Sequence, residues 1–346
     1  MTEQGVSGDE SRIRNIILKE IKPYVDKIQI DPLGNLIAVK KGKKPSLLLA
    51  AHMDEVGLMV KQIRDDGEIA LAMIGGLEPL VLLGQKVFLI TRAGKKIRGI
   101  ITTKELSADH EVRKLPGLHE TFIDTGLTKK ELQKIGVEVG TYVAFEQEAE
   151  FLGNTNNLVV GKAADDRAGC YILIELIKKL KNIKNETYFV FTVQEEMGLY
   201  GAKTSAYQLN PDWAIAVDTT NSNEHNIEVT RKIGDGPCLT YKDAELLSSQ
   251  VLDDWVMNLS KKYKIPLQPQ VSDFGTTDAM SIALSKGGVP TTVLSIPVKN
   301  IHSAVSIIDL KDVENAIKLL DLLIKNPPIF IKPQIIIPRK AKKKRR

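Results

Sequence analysis

Cysteine is scarce in this chain of 346 residues: Cys170 and Cys238 are the only two, too few for a disulfide framework. Nothing resembling a secretory leader, with charge, then an apolar run, then small residues, precedes the first helical pattern, so a reducing cytoplasm is the expected compartment. No apolar stretch approaches the roughly 18–20 residues needed to span a bilayer, which excludes a protein embedded in the membrane by helices. Internal repeats are also absent. Biased composition is confined to 339–346, which carries seven positive charges. Removing those seven from the formal net charge of +5 leaves the body at about −2, an ordinary balance for a soluble protein. The tail has no apolar periodicity and is expected to be disordered. It is the one segment with the charge to touch RNA or an acidic partner, and it reads equally as a solubilising tail.

What the chain does contain is a set of buried-strand patterns that end in acids and histidines. The segment 187–193 is rich in β-branched and aromatic residues and carries no charge, as in a strand buried on both faces of a sheet. It runs into Gln194-Glu195-Glu196-Met197-Gly198. Consecutive side chains leaving a strand point to opposite sides, so Glu195 and Glu196 are expected to do different work. A bare Glu-Glu pair is most often a solvated loop end, and its company decides the matter. Leu47-Leu48-Leu49-Ala50-Ala51 ends in His52-Met53-Asp54, and Ala214-Ile215-Ala216-Val217 ends in Asp218. The strand pattern 289–296 leads to His302, and Ala164-Asp165-Asp166-Arg167 opens a helical stretch. In an open α/β sheet, ligands gather beyond the carboxyl ends of the strands, so these segments converge on one crevice.

Taken in order, Gly5-Val6-Ser7-Gly8 leads into a helix with Ile13, Ile16, Ile17 and Ile21 at helical spacing. A hairpin at 27–30 and 36–39 turns through Asp31-Pro32-Leu33-Gly34-Asn35. A strand to His52 and another at 56–63 follow. Between 65 and 150 the texture changes to short alternating runs broken by glycines, with a single helical pattern at 128–135, which reads as a small all-β, barrel-like insertion. The βα alternation then resumes to 338. The expected architecture is α/β: a catalytic domain of 1–64 and 151–338 built on a mixed sheet between helical layers, an inserted oligomerisation domain of 65–150, and the tail 339–346.

Imidazole with carboxylate suits zinc, cobalt or manganese. Two such ions about 3.5–4 Å apart need a bridging carboxylate. Asp165 is the expected bridge, standing just before a helix in a Gly- and Ala-rich turn. His52 and Asp218 would complete one ion's ligands, and Glu196 and His302 the other's. Each ion then keeps an open position. Glu195 is left as the general base. Asp54 is expected to receive the second ring N–H of His52, and Asp166 to support the site or cap the helix. His110, His119 and His225 read as surface residues, and Cys170 as packed core.

The series His52-Met53-Asp54-Glu55-Val56-Gly57, Gly161-Lys162-Ala163-Ala164-Asp165-Asp166-Arg167-Ala168-Gly169, Val193-Gln194-Glu195-Glu196-Met197-Gly198, Ala216-Val217-Asp218-Thr219-Thr220 and Ile301-His302-Ser303 resembles the motif series of the tetrahedral (TET) aminopeptidases. These are the glutamyl and deblocking aminopeptidase family, and the likeness extends to Gly5-Val6-Ser7-Gly8 and Phe122-Ile123-Asp124. The resemblance implies a phosphorylase/hydrolase-like catalytic domain and an inserted β domain used in assembly. It implies two divalent metals, zinc or cobalt, held by His52, Asp165, Glu196, Asp218 and His302, with Glu195 as base. It further implies release of single residues from peptide amino ends and homo-oligomers, commonly tetrahedral dodecamers built from dimers. Two departures touch the pocket wall: Phe274-Gly275-Thr276-Thr277-Asp278-Ala279-Met280 replaces a Gly-Gly-Thr-Asp-Ala-Gly run, and Ala304-Val305-Ser306 follows the His-Ser in place of a proline and an acid. A deacylase or dipeptidase acting on small acylated amines would keep the same ligands and base. A non-catalytic scaffold would have no need of Glu195.

Overall fold

A computed structural model describes residues 1–104, 116–181, 183–222 and 231–328. His110, His225 and the basic tail lie outside the described residues. The body is a mixed eight-stranded sheet with strand order Lys27–Ile30, Leu36–Lys40, Asn185–Thr192, Lys43–His52, Trp213–Asn221, Thr291–Val298, Cys238–Lys242, Gln268–Val271. Its four central strands run parallel, the first hairpin joins them antiparallel, and Cys238–Lys242 pairs antiparallel to Thr291–Val298 but parallel to the edge strand Gln268–Val271.

The central strands are hydrophobic on both faces because both faces are covered. Leu47, Leu49, Ala51, Phe189, Phe191, Ile215 and Val217 pack under the helices Ser11–Ile21, Ala164–Lys179, Gln250–Tyr263 and Leu310–Lys325. The alternate residues Leu48, Ala50, Val190 and Ala214 pack beneath Tyr200–Leu209 and Asp278–Ala283. The result is three layers, helix on sheet on helix. In the first helix Ile13, Ile17 and Ile21 are buried at four-residue spacing, and Ile16 faces out. The hairpin turn is held by Asp31, whose Oδ1 accepts from the backbone N–H of Leu33, Gly34 and Asn35. Gly34 supplies the left-handed conformation that the turn needs (φ 113°).

The second body is a closed barrel of Gly57–Ile63, Ile69–Ile74, Thr121–Asp124, Lys96–Thr103, Lys86–Ile90 and Tyr142–Phe145, filled by its own cluster that includes Leu58, Val60, Ile69, Leu89, Ile101, Ile123 and Val143. This differs from the expectation that 56–63 belongs to the α/β domain. Gly57–Ile63 pairs with Ile69–Ile74 and with Tyr142–Phe145, and without it the barrel would have two open edges. Glu150–Leu152 lies outside the barrel, in a three-stranded sheet with Leu158–Gly161 and Ser306–Asp309. Cys170 and Cys238 are both free and buried. Among the described residues no helix is long and apolar enough to cross a membrane.

Candidate active site

His52 is the last residue of its strand and lies in register with Thr192. The neighbouring register, Ala50 opposite Ala216, carried two residues further puts Asp218 level with His52. Asp218 does not end its strand as expected; the strand continues to Asn221, paired through Asp218 opposite Ser295. Asp165 and Asp166 stand at the opening of Ala164–Lys179, both with non-helical backbone, so their carboxylates turn toward the strand ends. A Cβ at position 169 would lie 2.4 Å from Asp166 Oδ2, so glycine is required beneath that carboxylate. Glu195 and Glu196 come after the strand Asn185–Thr192, in a turn that Gln194 enters in the left-handed region (φ 53°). Their side chains do divide, but through this turn and not through strand alternation.

All the expected ligands meet. His52 Nε2 lies 3.2 Å from Asp165 Oδ1, 3.7 Å from Asp218 Oδ1 and 4.0 Å from Glu195 Oε2. His302 Nε2 lies 3.2 Å from Asp165 Oδ2 and 3.5 Å from Glu196 Oε2. The two oxygens of Asp165 therefore face different imidazoles. Two overlapping groups have ligand atoms mutually within 4.8 Å: His52, Asp165 and Glu196, and His52, Asp166 and Asp218. Asp166 is already engaged, accepting from the backbone N–H of Gly169 (2.9 Å) and of His52 (3.2 Å). Asp54 differs from expectation. The ring Nδ1 of His52 is nearer the Asp54 backbone carbonyl (3.2 Å) than its carboxylate (3.6 Å). The carboxylate instead accepts from the backbone N–H of Glu195 and Glu196, each at 3.1 Å. His119, as expected, is exposed. Cys170 donates to the His52 carbonyl from the core.

Burial and mutual repulsion dominate the electrostatics. Burial, with Asp218 and Glu196 nearby, holds the Glu195 carboxyl well above the usual range against the pull of His52. Burial and Asp165 push Glu196 up to about 8. Asp218 and Asp166 are raised too, by burial first and then by neighbouring carboxylates. Asp165 goes the other way: the imidazoles of His302 and His52 outweigh burial and draw it far below. The same carboxylates lift His52 well above an ordinary histidine, and His302 to about 9, in spite of burial.

This donor set fits divalent cations. Several buried carboxylates are held back from ionising by burial and repulsion, which positive charge would relieve. Glu196 Oε1 is buried without a hydrogen-bond partner, as a ligand oxygen would be.

Three contributions had no distinct sequence signal. Asp278, at the start of its short helix, is fully buried, and its carboxylate accepts from Thr192 Oγ1. Burial pushes it up to about 7. Gly76, from the barrel, brings its backbone into hydrogen bonding with His302, and a Cβ there would lie 3.3 Å from His302 Nδ1. Glu10 reaches the glutamate turn from the amino-terminal segment. These histidines and carboxylates open on a cavity of about 820 Å³ whose walls include Met197, Thr219, Arg231, Gln270, Phe274 and Thr276.

Imidazoles and carboxylates gathered at the ends of parallel strands, beside a cavity of substrate size, define the class as metal-dependent hydrolases on an open α/β sheet. The chain matches the model for M42 glutamyl aminopeptidases over residues 34–319. It is 34% identical over 317 residues to the lysyl aminopeptidase of Pyrococcus furiosus, covering 88% of this chain and 89% of that one. Its backbone superposes on an aminopeptidase from the archaeon Desulfurococcus kamchatkensis with a TM-score of 0.92 and 36% identity, covering 97% and 96% of the two chains. A TET1 peptidase of Pyrococcus horikoshii, described as able to assemble into a tetrahedron or a large octahedral shell, gives 0.85 and 32%, covering 94% and 96%. The chain belongs to the M42 aminopeptidase family and is a peptide hydrolase, and membership implies divalent metal at the site.

Proposed function

We propose that the chain is a dinuclear-metal aminopeptidase, with Asp165 shared between two ions and Glu195 as general base. The observation that carries this reading is Asp165, with one carboxylate oxygen 3.2 Å from His52 and the other 3.2 Å from His302. His52 and Asp218 would hold one ion, and Glu196 and His302 the other, with zinc or cobalt suited to the donors. The ions, when bound, supply Lewis acidity that polarises the scissile carbonyl and lowers the pKa of the attacking water.

The remaining steps belong to this chain. Glu195, whose Oε2 lies 4.0 Å from His52 Nε2 at the edge of the ligand cluster, would take the proton from water and pass it to the leaving amine. Asp54 holds the backbone of both glutamates, and Thr192, the last strand residue before their turn, donates to Asp278. The acid-rich end of the cavity favours the positive amino terminus of a peptide. The barrel serves assembly into a dimer-based homo-oligomer in the cytoplasm, with the dodecamer as one form such dimers build.

Stripping the metal with chelator, restoring zinc, cobalt or manganese singly, and assaying aminoacyl amides beside amino-blocked peptides tests the reading. Hydrolysis of free-amino substrates that returns with two ions per chain is expected. Activity on blocked substrates alone would make the protein a deacylase, and full activity with one ion would remove the second site.

A further inference from the structure

The turn that carries Glu195 and Glu196 is held in an unusual way. Four successive backbone N–H groups leave the end of the strand Asn185–Thr192, and three side chains from distant parts of the chain receive them. Val193 N–H donates to Asn35 Oδ1 at 3.0 Å. Gln194 N–H donates to Glu10 Oε1 at 3.2 Å, and Glu195 and Glu196 donate to the two oxygens of Asp54. Asn35 is itself locked, donating from Nδ2 to Asp31 Oδ2 (2.6 Å) and to the Gly201 carbonyl (3.0 Å). Gln194 is the weak point of the series. Its φ of 53° is unfavourable for a residue with a side chain, by about 1–2 kcal/mol. A left-handed residue persists only where its surroundings over-determine it.

Glu10 supplies that constraint. It is 5% exposed, and the same Oε1 also accepts from Gly8 N–H at 2.7 Å. The segment bearing it is fixed independently. Glu55 N–H donates to the Gly5 carbonyl (3.0 Å), Ser7 N–H donates to the Glu55 carbonyl (3.1 Å), and Gly5 N–H donates to Glu55 Oε1 (2.8 Å). Glu55 Oε1 and Oε2 in turn accept from Lys162 Nζ at 2.6 Å. The chain from Gly5 to Glu10 is therefore strapped to the core and ends on the turn that aims the tandem glutamates.

We propose that Glu10 is a positioning residue for the reaction, fixing the left-handed Gln194 through its N–H so that Glu195 is presented toward His52 and Glu196 toward His302. The inference rests on Glu195 being the base. What Glu10 needs is an acceptor oxygen, not a charge. Glu10→Gln keeps that oxygen, Glu10→Ala removes it, and Glu10→Asp keeps the charge while drawing the oxygen back by one methylene.

The experiment combines amide hydrogen exchange of the metal-loaded full chain, read on the peptide spanning 192–199, with steady-state kinetics on an aminoacyl amide. In Glu10→Ala, exchange at that peptide rises at least tenfold, and kcat falls about ten- to a hundredfold with KM within twofold, as expected when a reacting group is misplaced. Glu10→Gln retains most of both. If Glu10→Ala does not fold, Glu10→Asp gives the same readout. Unchanged exchange, or raised exchange with unchanged kcat, overturns the proposal. An equal loss in Glu10→Gln and Glu10→Ala overturns it too, because charge would then be the requirement. Exchange does not depend on which residue is the base. A Glu195→Gln variant that still turns over would sink the base reading, while the exchange pattern would still report on Glu10.

Discussion

Replacing Asp165 by asparagine isolates what a shared carboxylate does. The amide has the same shape, but it carries no charge, and one of its two ligand positions becomes an N–H donor. In the structure Asp165 faces both imidazoles at 3.2 Å, so both proposed ion positions would lose a partner at once. Removing one member of a buried, hydrogen-bonded charge pair costs on the order of 2–5 kcal/mol. Affinity should therefore drop about 30- to 5000-fold at each of the two sites. His302→Ala, whose ring meets only Asp165 and Glu196 among the carboxylates, should weaken one ion by a similar factor and leave the other near its wild-type affinity. Calorimetric titration of zinc or cobalt into each chelator-stripped variant distinguishes the two patterns. A second readout needs no metal: Asp165 is foremost among the groups that lift His302 to about 9, so its ring should titrate lower by NMR in Asp165→Asn. Loss of a single ion in Asp165→Asn would refute the bridge, and loss of both in Asp166→Asn would move it by one residue.

Other expectations follow from single contacts. Glu195→Gln should keep both ions by elemental analysis and lose turnover by about 100- to 10,000-fold, and near-normal turnover would show that another group takes the proton. Gly76→Ala places a Cβ 3.3 Å from His302 Nδ1, so the ring must shift; one ion should bind about tenfold more weakly with Tm little changed, and two ions bound as before would disconnect the barrel from the site. Asp312 accepts from the backbone N–H of Gly234 and Gly236, and burial pushes its carboxyl up from 3.8 to about 6. The folded state thus binds this proton more tightly than the unfolded chain, so the contribution is full below about pH 4 and is lost as pH rises through 6. Asp312→Asn has no such loss, and by calorimetry its Tm relative to wild type should improve between pH 4 and 7; a difference that does not vary with pH would refute the assignment.

Much of the candidate site was legible because its signals are local. A buried-strand pattern that runs into a histidine or an acid is visible within ten residues, as at 47–52 and 214–218, although the second strand continues to Asn221, and the helical spacing of Ile13, Ile17 and Ile21 needs no tertiary information. The strands that escaped notice are short and weakly patterned. Gln268–Val271 contains a proline and two glutamines, and Ser306–Asp309 is four residues long. Such segments become strands because a neighbour offers an edge, and no periodicity announces that.

Residue type and short-range spacing alone carry the α/β class, the candidate ligand residues that the fold brings together, and the presence of an all-β insertion. Packing between distant segments sets the rest: Gly57–Ile63 closes the barrel, Gly76 reaches back to His302, and the Asp54 carboxylate grips the glutamate turn at 3.1 Å while lying 3.6 Å from the imidazole it is expected to orient. Each is a contact between segments brought together by the fold, in which one backbone group meets another residue's side chain or edge. Every residue has the same backbone, so the letters of a sequence do not say which N–H a carboxylate will find, and packing alone makes that choice.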